Sequence, residues 1–117
     1  MKNILVVDDE RNLRILYKKE LLDQGYKVLT ASGGEEALEM IQKQPIDLAV
    51  LDIKMEGMDG IQTLKEVLAH NKKIKIILNS AYSSYKSDFS TWSADAYLIK
   101  SSDLSELKEK IEELLGE

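Results

Sequence analysis

The chain has 117 residues, 44% of them hydrophobic, which is enough to build one compact domain with a buried core but not two. Acidic residues outnumber lysine and arginine by 21 to 16, and the resulting net charge of -5 argues against a constitutive nucleic-acid surface. The absence of cysteine excludes disulfides and thiolate metal sites. We therefore expect residues 1–117 to form a single domain.

Short apolar runs alternate with segments of helical periodicity along the whole chain. The runs are Ile4–Val7, Val28–Ala31, Leu48–Leu51, Ile74–Leu78 and Ala96–Ile99. Because most of them are continuously apolar, they predict strands that are covered on both faces, as in a parallel sheet. The first run is too short for a signal sequence or a membrane span, and two aspartates follow it, so we expect a cytoplasmic protein.

The segments between the runs predict amphipathic helices. These helices are expected from about Arg11 to Gln24, from near Gly34 to before Pro45, after Asp59-Gly60, and from about Leu104 to Leu114. Asp59 is predicted to cap the third helix, and Asp103 or Ser102 the last one. The serine-rich segment from Ser83 to Ser93 predicts a short, mobile fourth helix. This alternation indicates an α/β fold with a doubly wound parallel sheet and right-handed crossovers.

Polar residues follow most of the predicted strands, at the edge where ligands bind in doubly wound sheets. They are Asp8-Asp9-Glu10 after the first strand, Asp52 after the third, Asn79-Ser80 after the fourth and Lys100 after the fifth. Each of them alone is readily explained as a helix cap or a turn residue, and Asp9 could simply cap the first helix. Three converging carboxylates, however, would raise one another's pKa unless a cation lay among them.

Lys100 supplies one positive charge to this edge. A hard divalent cation such as Mg²⁺ or Mn²⁺ would neutralise the remaining carboxylate charge, because all the side-chain ligands are oxygens. A carboxylate beside such a cation, a lysine and a hydroxyl is suited to act as the nucleophile in phosphoryl transfer. Asp52 is the best candidate because it is the lone acid at the end of a central strand. Asp8 and Asp9 form a pair that is better suited to holding the metal.

The sequence resembles the response-regulator receiver domains over nearly its whole length. The matching motifs are Val6-Val7-Asp8-Asp9-Glu10, Leu51-Asp52-Ile53-Lys54-Met55, Gly57-Met58-Asp59-Gly60 and Asn79-Ser80-Ala81-Tyr82. The resemblance implies a flavodoxin-like (βα)5 fold with strand order 2-1-3-4-5. It also implies a signalling phosphoacceptor rather than an enzyme, which receives its phosphoryl group from a histidine kinase or a phosphotransfer protein.

The same resemblance assigns roles in the site. Asp52 would be the phosphoacceptor, Asp8 and Asp9 the acidic pocket, and Lys100 the contact to the phosphoryl group. The backbone carbonyl of Lys54 would complete the metal shell.

The resemblance also implies a switch. Ser80 would move to bond a phosphoryl oxygen and Tyr97 would follow, which would change the surface of the fourth and fifth predicted helices and the fifth strand. The alternative interpretation of Tyr97 is an ordinary aromatic residue of a β-strand. Bulk at Lys54 and Tyr82, which border the path of hydrolytic water in this family, predicts slow loss of the phosphoryl group.

The sequence departs from the family pattern at three places. Ser101 replaces the proline that commonly follows the lysine, and a cis bond before a residue other than proline costs about 2.5–4 kcal/mol, so that bond is either enforced by the local structure or trans. Glu56 replaces a proline and adds negative charge near the site. Ser93-Ala94 replaces the glycine-alanine that commonly precedes the fifth strand.

Several alternatives compete with a phosphorylated receiver. A degenerate receiver would keep the fold as a protein-binding module without phosphorylation. An aspartyl-phosphate hydrolase of the haloacid-dehalogenase type would need Asp-x-Asp after the first strand, and an FMN carrier would need hydroxyl-rich residues there. His70 is expected on the surface at the opposite edge of the sheet. We expect either a receiver that acts on a downstream protein or the first part of a regulator with a C-terminal effector domain.

Overall fold

The computed structural model describes residues 1–82 and 93–116, which form a parallel sheet covered by helices on both faces. The strands are β1 Asn3–Val7, β2 Lys27–Ala31, β3 Leu48–Leu51, β4 Lys75–Ser80 and β5 Ala96–Ile99. The helices are α1 Arg11–Asp23, α2 Gly34–Lys43, α3 Gly60–His70 and α4 Ser105–Leu115. The short helix predicted between Ser83 and Ser93 falls, except for its last residue, outside the described residues.

The five strands are all parallel and lie in the order β2-β1-β3-β4-β5, which confirms the predicted flavodoxin-like topology. The chain reverses its direction of strand addition between β1 and β3, so ligands are expected at the carboxyl ends of these strands. The strand starts differ from the predicted ones by at most one residue, but the end of β4 lies two residues later than predicted. The apolar run predicts that β4 ends at Leu78, whereas the ladder with β5 continues through Asn79 and Ser80.

Two apolar layers hold the helices on the sheet. One layer contains Leu64 and Val67 of α3 with Ala37 and Ile41 of α2. The other contains Tyr17 and Leu21 of α1 together with Leu107 and Ile111 of α4. Alternation of side chains along each strand feeds both layers, because neighbouring residues point to opposite faces.

The helical periodicity of α1 predicts one apolar stripe made of Leu13, Leu16, Tyr17 and Leu21, and the stripe in the structure is narrower. Tyr17 and Leu21 are buried as expected, but Leu16 is 36% exposed. Consecutive helical residues lie about 100° apart, so Leu16 and Tyr17 cannot both face the sheet squarely. Tyr17 takes the central position.

The helix starts agree in part with the predicted caps. The Asp59 carboxylate accepts the Gln62 N–H at 2.8 Å, which confirms the cap of α3. At α4 the capping position is Leu104, one residue later than predicted. The Asp103 carboxylate still accepts both the N–H and the hydroxyl of Ser105, at 3.0 and 2.6 Å. Among the described residues, no helix is long and apolar enough to cross a bilayer.

Candidate functional site

Three carboxylates meet at the carboxyl ends of β1 and β3. The backbone of Asp52 extends the sheet ladder by donating to the Val7 carbonyl at 3.0 Å, and this contact places its side chain beside that of Asp8. One carboxylate oxygen each from Asp8, Asp9 and Asp52 lie within 4.8 Å of one another. Asp8 and Asp52 are buried, at 2% and 6% exposure, whereas Asp9 is exposed. The structure therefore brings together the three acids that the sequence proposed as one pocket.

Lys100 completes this cluster from the end of β5. Its ammonium nitrogen lies 2.9 Å from Asp8 Oδ2 and 3.1 Å from Asp52 Oδ2. Its backbone N–H donates to the Ser80 carbonyl at 2.7 Å, which anchors the start of the side chain to β4. The Lys100–Ser101 peptide is trans, like every other peptide bond among the described residues. Lys100 thus reaches the carboxylates without a proline after it.

The charges in the cluster do not balance. Burial raises the pKa of Asp52 above its ordinary value, and although Lys100 opposes this shift, the charges of Asp8 and Asp9 add to it. Burial alone would lower the pKa of Lys100, but its hydrogen bond and ion pair with Asp8 and its contact with Asp52 raise it. Within residues 1–82 and 93–116, one ammonium group therefore faces three carboxylates, and this excess of negative charge attracts further positive charge.

The loop after β1 orients Asp8. One oxygen of its carboxylate accepts the Glu10 N–H at 2.9 Å, and its backbone carbonyl accepts from the Arg14 guanidinium at 2.7 Å. Its other oxygen is the one that contacts Lys100. The capping position of α1 is Glu10, and within the described part of the chain no side chain caps it, so the interpretation of Asp9 as a helix cap is wrong.

Gly60 brings the start of α3 against the backbone of Asp52. Its N–H donates to the Ile53 carbonyl at 2.9 Å. A Cβ atom at this position would lie 2.0 Å from the Asp52 carbonyl oxygen, so no residue other than glycine fits without moving the backbone. This contact fixes the position of the peptide that carries the Asp52 side chain.

Ser80 and Tyr97 are linked through the backbone of Tyr82. The Ser80 hydroxyl, which is fully buried, accepts the Tyr82 N–H at 3.1 Å. The Tyr97 hydroxyl donates to the Tyr82 carbonyl, and the Tyr97 ring is buried in the layer on the α3 side of the sheet. A movement of the Tyr82 backbone would therefore change the hydrogen bonds of both Ser80 and Tyr97, the two residues that the resemblance assigns to a switch.

The remaining candidate residues lie around this cluster. Lys54, two residues beyond Asp52, has an exposed side chain, and Tyr82 is 52% exposed. His70 is exposed at the end of α3, which runs back from the edge that carries the carboxylates. This location confirms the prediction that His70 lies away from the site.

The sequence interpretation missed one polar pair beside the cluster. Tyr17, which it treated only as part of the apolar stripe of α1, is 1% exposed, and its hydroxyl accepts a hydrogen bond from Asn79 Nδ2 at 3.0 Å. Burial raises the pKa of Tyr17, and the charges of Lys100, Asp8 and Asp52 also act on it. The only signal in the sequence was a tyrosine within a leucine stripe and an asparagine where a buried strand ends.

Comparison with known proteins gives a consistent result. A family model for the response regulator receiver domain matches residues 4–112. The transcriptional regulatory protein ZraR of Escherichia coli strain K12 is 38% identical over 116 residues, which are 97% of this chain but 26% of ZraR. The chain thus spans about a quarter of the length of such curated relatives.

Solved structures extend the similarity to the fold. Response regulator TrrA from Thermotoga maritima, crystallised in complex with Mg²⁺-BeF, is 50% identical, with a TM-score of 0.92 over 97% of this chain and 99% of TrrA. A crystal structure of histidine kinase ThkA in complex with TrrA also matches, at 50% identity and a TM-score of 0.90, covering 98% of this chain and 99% of the matched chain.

Proposed function

The chain belongs to the response-regulator receiver family, and from this premise we propose that it accepts a phosphoryl group on Asp52 from a histidine kinase or a phosphotransfer protein. The observation that carries the proposal is the shared ion pair at the end of the sheet. Asp52 and Asp8 are buried carboxylates that compete for one lysine, and Asp9 lies within the same 4.8 Å cluster. Its proposed role is that of a signalling phosphoacceptor in the cytoplasm. Self-catalysed phosphoryl transfer and slow loss of the phosphoryl group would be its only reactions.

The transfer forms a bond between an Asp52 carboxylate oxygen and phosphorus, while the bond from phosphorus to the donor nitrogen breaks. The electron pair of that bond stays with the donor imidazole. Lys100, 3.1 Å from Asp52 Oδ2, holds the carboxylate and balances the negative charge of the incoming phosphoryl oxygens. Gly60 fixes the backbone of Asp52, so the nucleophile is positioned before the donor arrives.

The donor set fits a hard divalent cation, Mg²⁺ or Mn²⁺. Asp8, Asp9 and Asp52 supply carboxylate oxygens, and the backbone carbonyl of Lys54 is proposed as a further ligand. When bound, the cation supplies positive charge to the phosphoryl oxygens. The excess of carboxylate over ammonium charge in the cluster supports this assignment, and the similar protein TrrA was crystallised with Mg²⁺-BeF.

The switch is proposed to run from Ser80 to Tyr97. Movement of the Ser80 hydroxyl toward a phosphoryl oxygen, to which it would donate, would draw it away from the Tyr82 N–H from which it now accepts. Because the Tyr82 carbonyl accepts from the Tyr97 hydroxyl, a shift of the Tyr82 backbone would reach β5 through Tyr97. Lys54 and Tyr82 are proposed to slow the loss of the phosphoryl group through their bulk.

The proposed partners follow from the family and from the size of its members. A complex of TrrA with histidine kinase ThkA supports a kinase as the phosphodonor. Because the chain spans 26% of ZraR, its output is proposed to be either a downstream protein or an effector domain that follows residues 1–117 in a longer regulator. The acidic cluster and the net charge of -5 favour a domain that does not bind nucleic acid itself.

The test is intact-mass measurement after incubation with acetyl phosphate and Mg²⁺. One phosphoryl adduct is expected on the wild type and none on Asp52→Asn. Asp23→Asn is the matched control, because it removes the same charge from an exposed position at the end of α1. EDTA should prevent the adduct. An unmodified wild type under these conditions would contradict the proposal and favour a degenerate receiver that only binds proteins.

A further inference from the structure

The polar pair formed by Tyr17 and Asn79 adjoins the proposed phosphoacceptor. Extending the β3–β4 register by one residue beyond its last pair places Asp52 next to Asn79. Extending the β1–β3 register in the same way places Asp8 on the other side of Asp52. Asp8, Asp52 and Asn79 therefore occupy one row across three adjacent strands.

The side chains of this row share one face of the sheet. Val50 and Ile77, two residues before Asp52 and Asn79, both belong to the apolar layer that contains Tyr17. Side chains two residues apart in a strand point to the same face, and neighbouring strands lie about 4.8 Å apart. The Asn79 amide and the Asp52 carboxylate are therefore direct neighbours on the face covered by α1.

The Asn79 amide is bonded to α1 rather than to Asp52. Its nitrogen donates to the Tyr17 hydroxyl at 3.0 Å, and both side chains are buried, at 5% and 1% exposure. Lys100 must pass over β4 to reach Asp52 and Asp8 from β5, so the pair lies where the lysine crosses the sheet. The hydroxyl of Tyr17 thus holds the side-chain amide that lies next to the phosphoacceptor in the sheet.

We propose that Tyr17 is a positioning residue, which accepts a hydrogen bond from the Asn79 amide nitrogen and thereby holds the amide in an orientation in which it does not donate to Asp52. This inference rests on the proposed function, because Asp52 is its phosphoacceptor. A buried amide that loses its acceptor must bond another one or remain unpaired at a cost in free energy. The nearest alternative in the row is the Asp52 carboxylate, and an amide bonded there would occupy an oxygen that both phosphoryl transfer and cation binding need.

The test compares the wild type with Tyr17→Phe, Asn79→Leu and the double variant. Initial rates of adduct formation are measured with acetyl phosphate and Mg²⁺ by intact mass, and Mg²⁺ binding alone is measured by calorimetry. Tyr17→Phe keeps the ring but loses the acceptor, so its rate should fall about tenfold and its Mg²⁺ affinity should fall with it. Asn79→Leu and the double variant lack the competing amide and should stay within about twofold of the wild type. Asn79→Ala replaces Asn79→Leu if the larger side chain prevents folding.

The rescue in the double variant separates positioning from a structural role. Equal rates in all four proteins, with stability lost in the single variants, would overturn the proposal. Equal slowing by Tyr17→Phe and the double variant would also overturn it, because the hydroxyl would then act without Asn79. If the wild type forms no adduct, the proposed function fails, but the Mg²⁺ affinities still test the positioning role of Tyr17. A lower Mg²⁺ affinity in Tyr17→Phe that recovers in the double variant supports this role. Mg²⁺ affinities that are unchanged in all variants contradict it.

Discussion

Replacing Asp52 by asparagine is expected to stabilise the fold when divalent cations are absent. Burial raises the pKa of this carboxyl, with the charges of Asp8 and Asp9 adding to the effect. A carboxyl whose pKa is higher in the folded than in the unfolded state is a cost to the folded state once it is ionised. Asparagine has nearly the same shape and carries no charge, so the variant avoids this cost.

The magnitude follows from the charges around Asp52. At an effective dielectric constant of about 20, repulsion from Asp8, which lies within 4.8 Å, amounts to at least about 3.5 kcal/mol, and attraction to Lys100 at 3.1 Å amounts to about 5 kcal/mol. Asp9 is exposed, and screening leaves it about half the repulsion of Asp8. These terms nearly cancel, so the desolvation of a carboxylate that is 6% exposed decides the sign, and we expect a gain of about 1–2 kcal/mol.

Urea unfolding in EDTA, followed by circular dichroism, measures this gain as a function of pH. Well below the ordinary carboxyl pKa of 3.8 the two proteins should be about equally stable, because Asp52 is then protonated in both the folded and the unfolded state. The advantage of Asp52→Asn should grow as pH rises above that value and level off above the raised pKa of the folded state. Asp23→Asn, which changes an exposed charge, should show no such profile.

Mg²⁺ should reverse the order of stability. A cation present at a hundredfold excess over its dissociation constant stabilises the wild type by about 2.7 kcal/mol, and the variant, with one ligand fewer, should gain much less. Asp52→Asn that is less stable than the wild type in EDTA would refute the reasoning about the buried charge. Equal stabilisation of both proteins by Mg²⁺ would refute the assignment of Asp52 as a ligand.

Other substitutions test separate parts of the structure. Gly60→Ala places a Cβ atom 2.0 Å from the Asp52 carbonyl oxygen, so we expect a loss of about 3 kcal/mol in urea unfolding together with slower adduct formation, and an unchanged rate would contradict the positioning role of Gly60. Asp59→Ala removes the cap of α3 and should cost about 1 kcal/mol in the same assay, whereas its adduct rate at full folding should match that of the wild type. Lys100→Gln removes the ammonium group that Asp8 and Asp52 share, so the free energy of unfolding should fall by about 3 kcal/mol in EDTA and recover part of that loss in Mg²⁺. Equal losses in both buffers would argue against a metal site.

The sequence predicts the cluster of Asp8, Asp52 and Lys100 because the topology of a parallel sheet determines where the ends of its strands lie. Once parallel strands are inferred from apolar runs, residues at their carboxyl ends must meet at one edge, and this places Asp8, Asp52 and Lys100 together. The register is equally constrained, because a shift by one residue would turn every side chain to the other face. The parallel sheet and the carboxylate cluster therefore follow from the pattern, and the strand order follows from the resemblance to the receiver family.

The features that the sequence did not predict depend on contacts between elements that are distant along the chain. The end of β4 was misjudged because Asn79 and Ser80 are polar, although they pair with β5 like the apolar residues before them. The bond between Asn79 and Tyr17 joins residues 62 positions apart, and neither helical nor strand periodicity carries that information. The close approach of Gly60 to Asp52 likewise appears only once α3 is packed against the sheet.

The most direct test of the central claim is to locate the phosphoryl group chemically. Borohydride reduces an aspartyl phosphate to homoserine, while phosphoserine and phosphohistidine do not give this product. After phosphorylation with acetyl phosphate and Mg²⁺, reduction and peptide mass mapping, we expect homoserine at position 52 and at no other aspartate. Homoserine at Asp8 or Asp9, or a phosphoryl group that persists on a serine or on His70, would contradict the assignment of Asp52 as the phosphoacceptor.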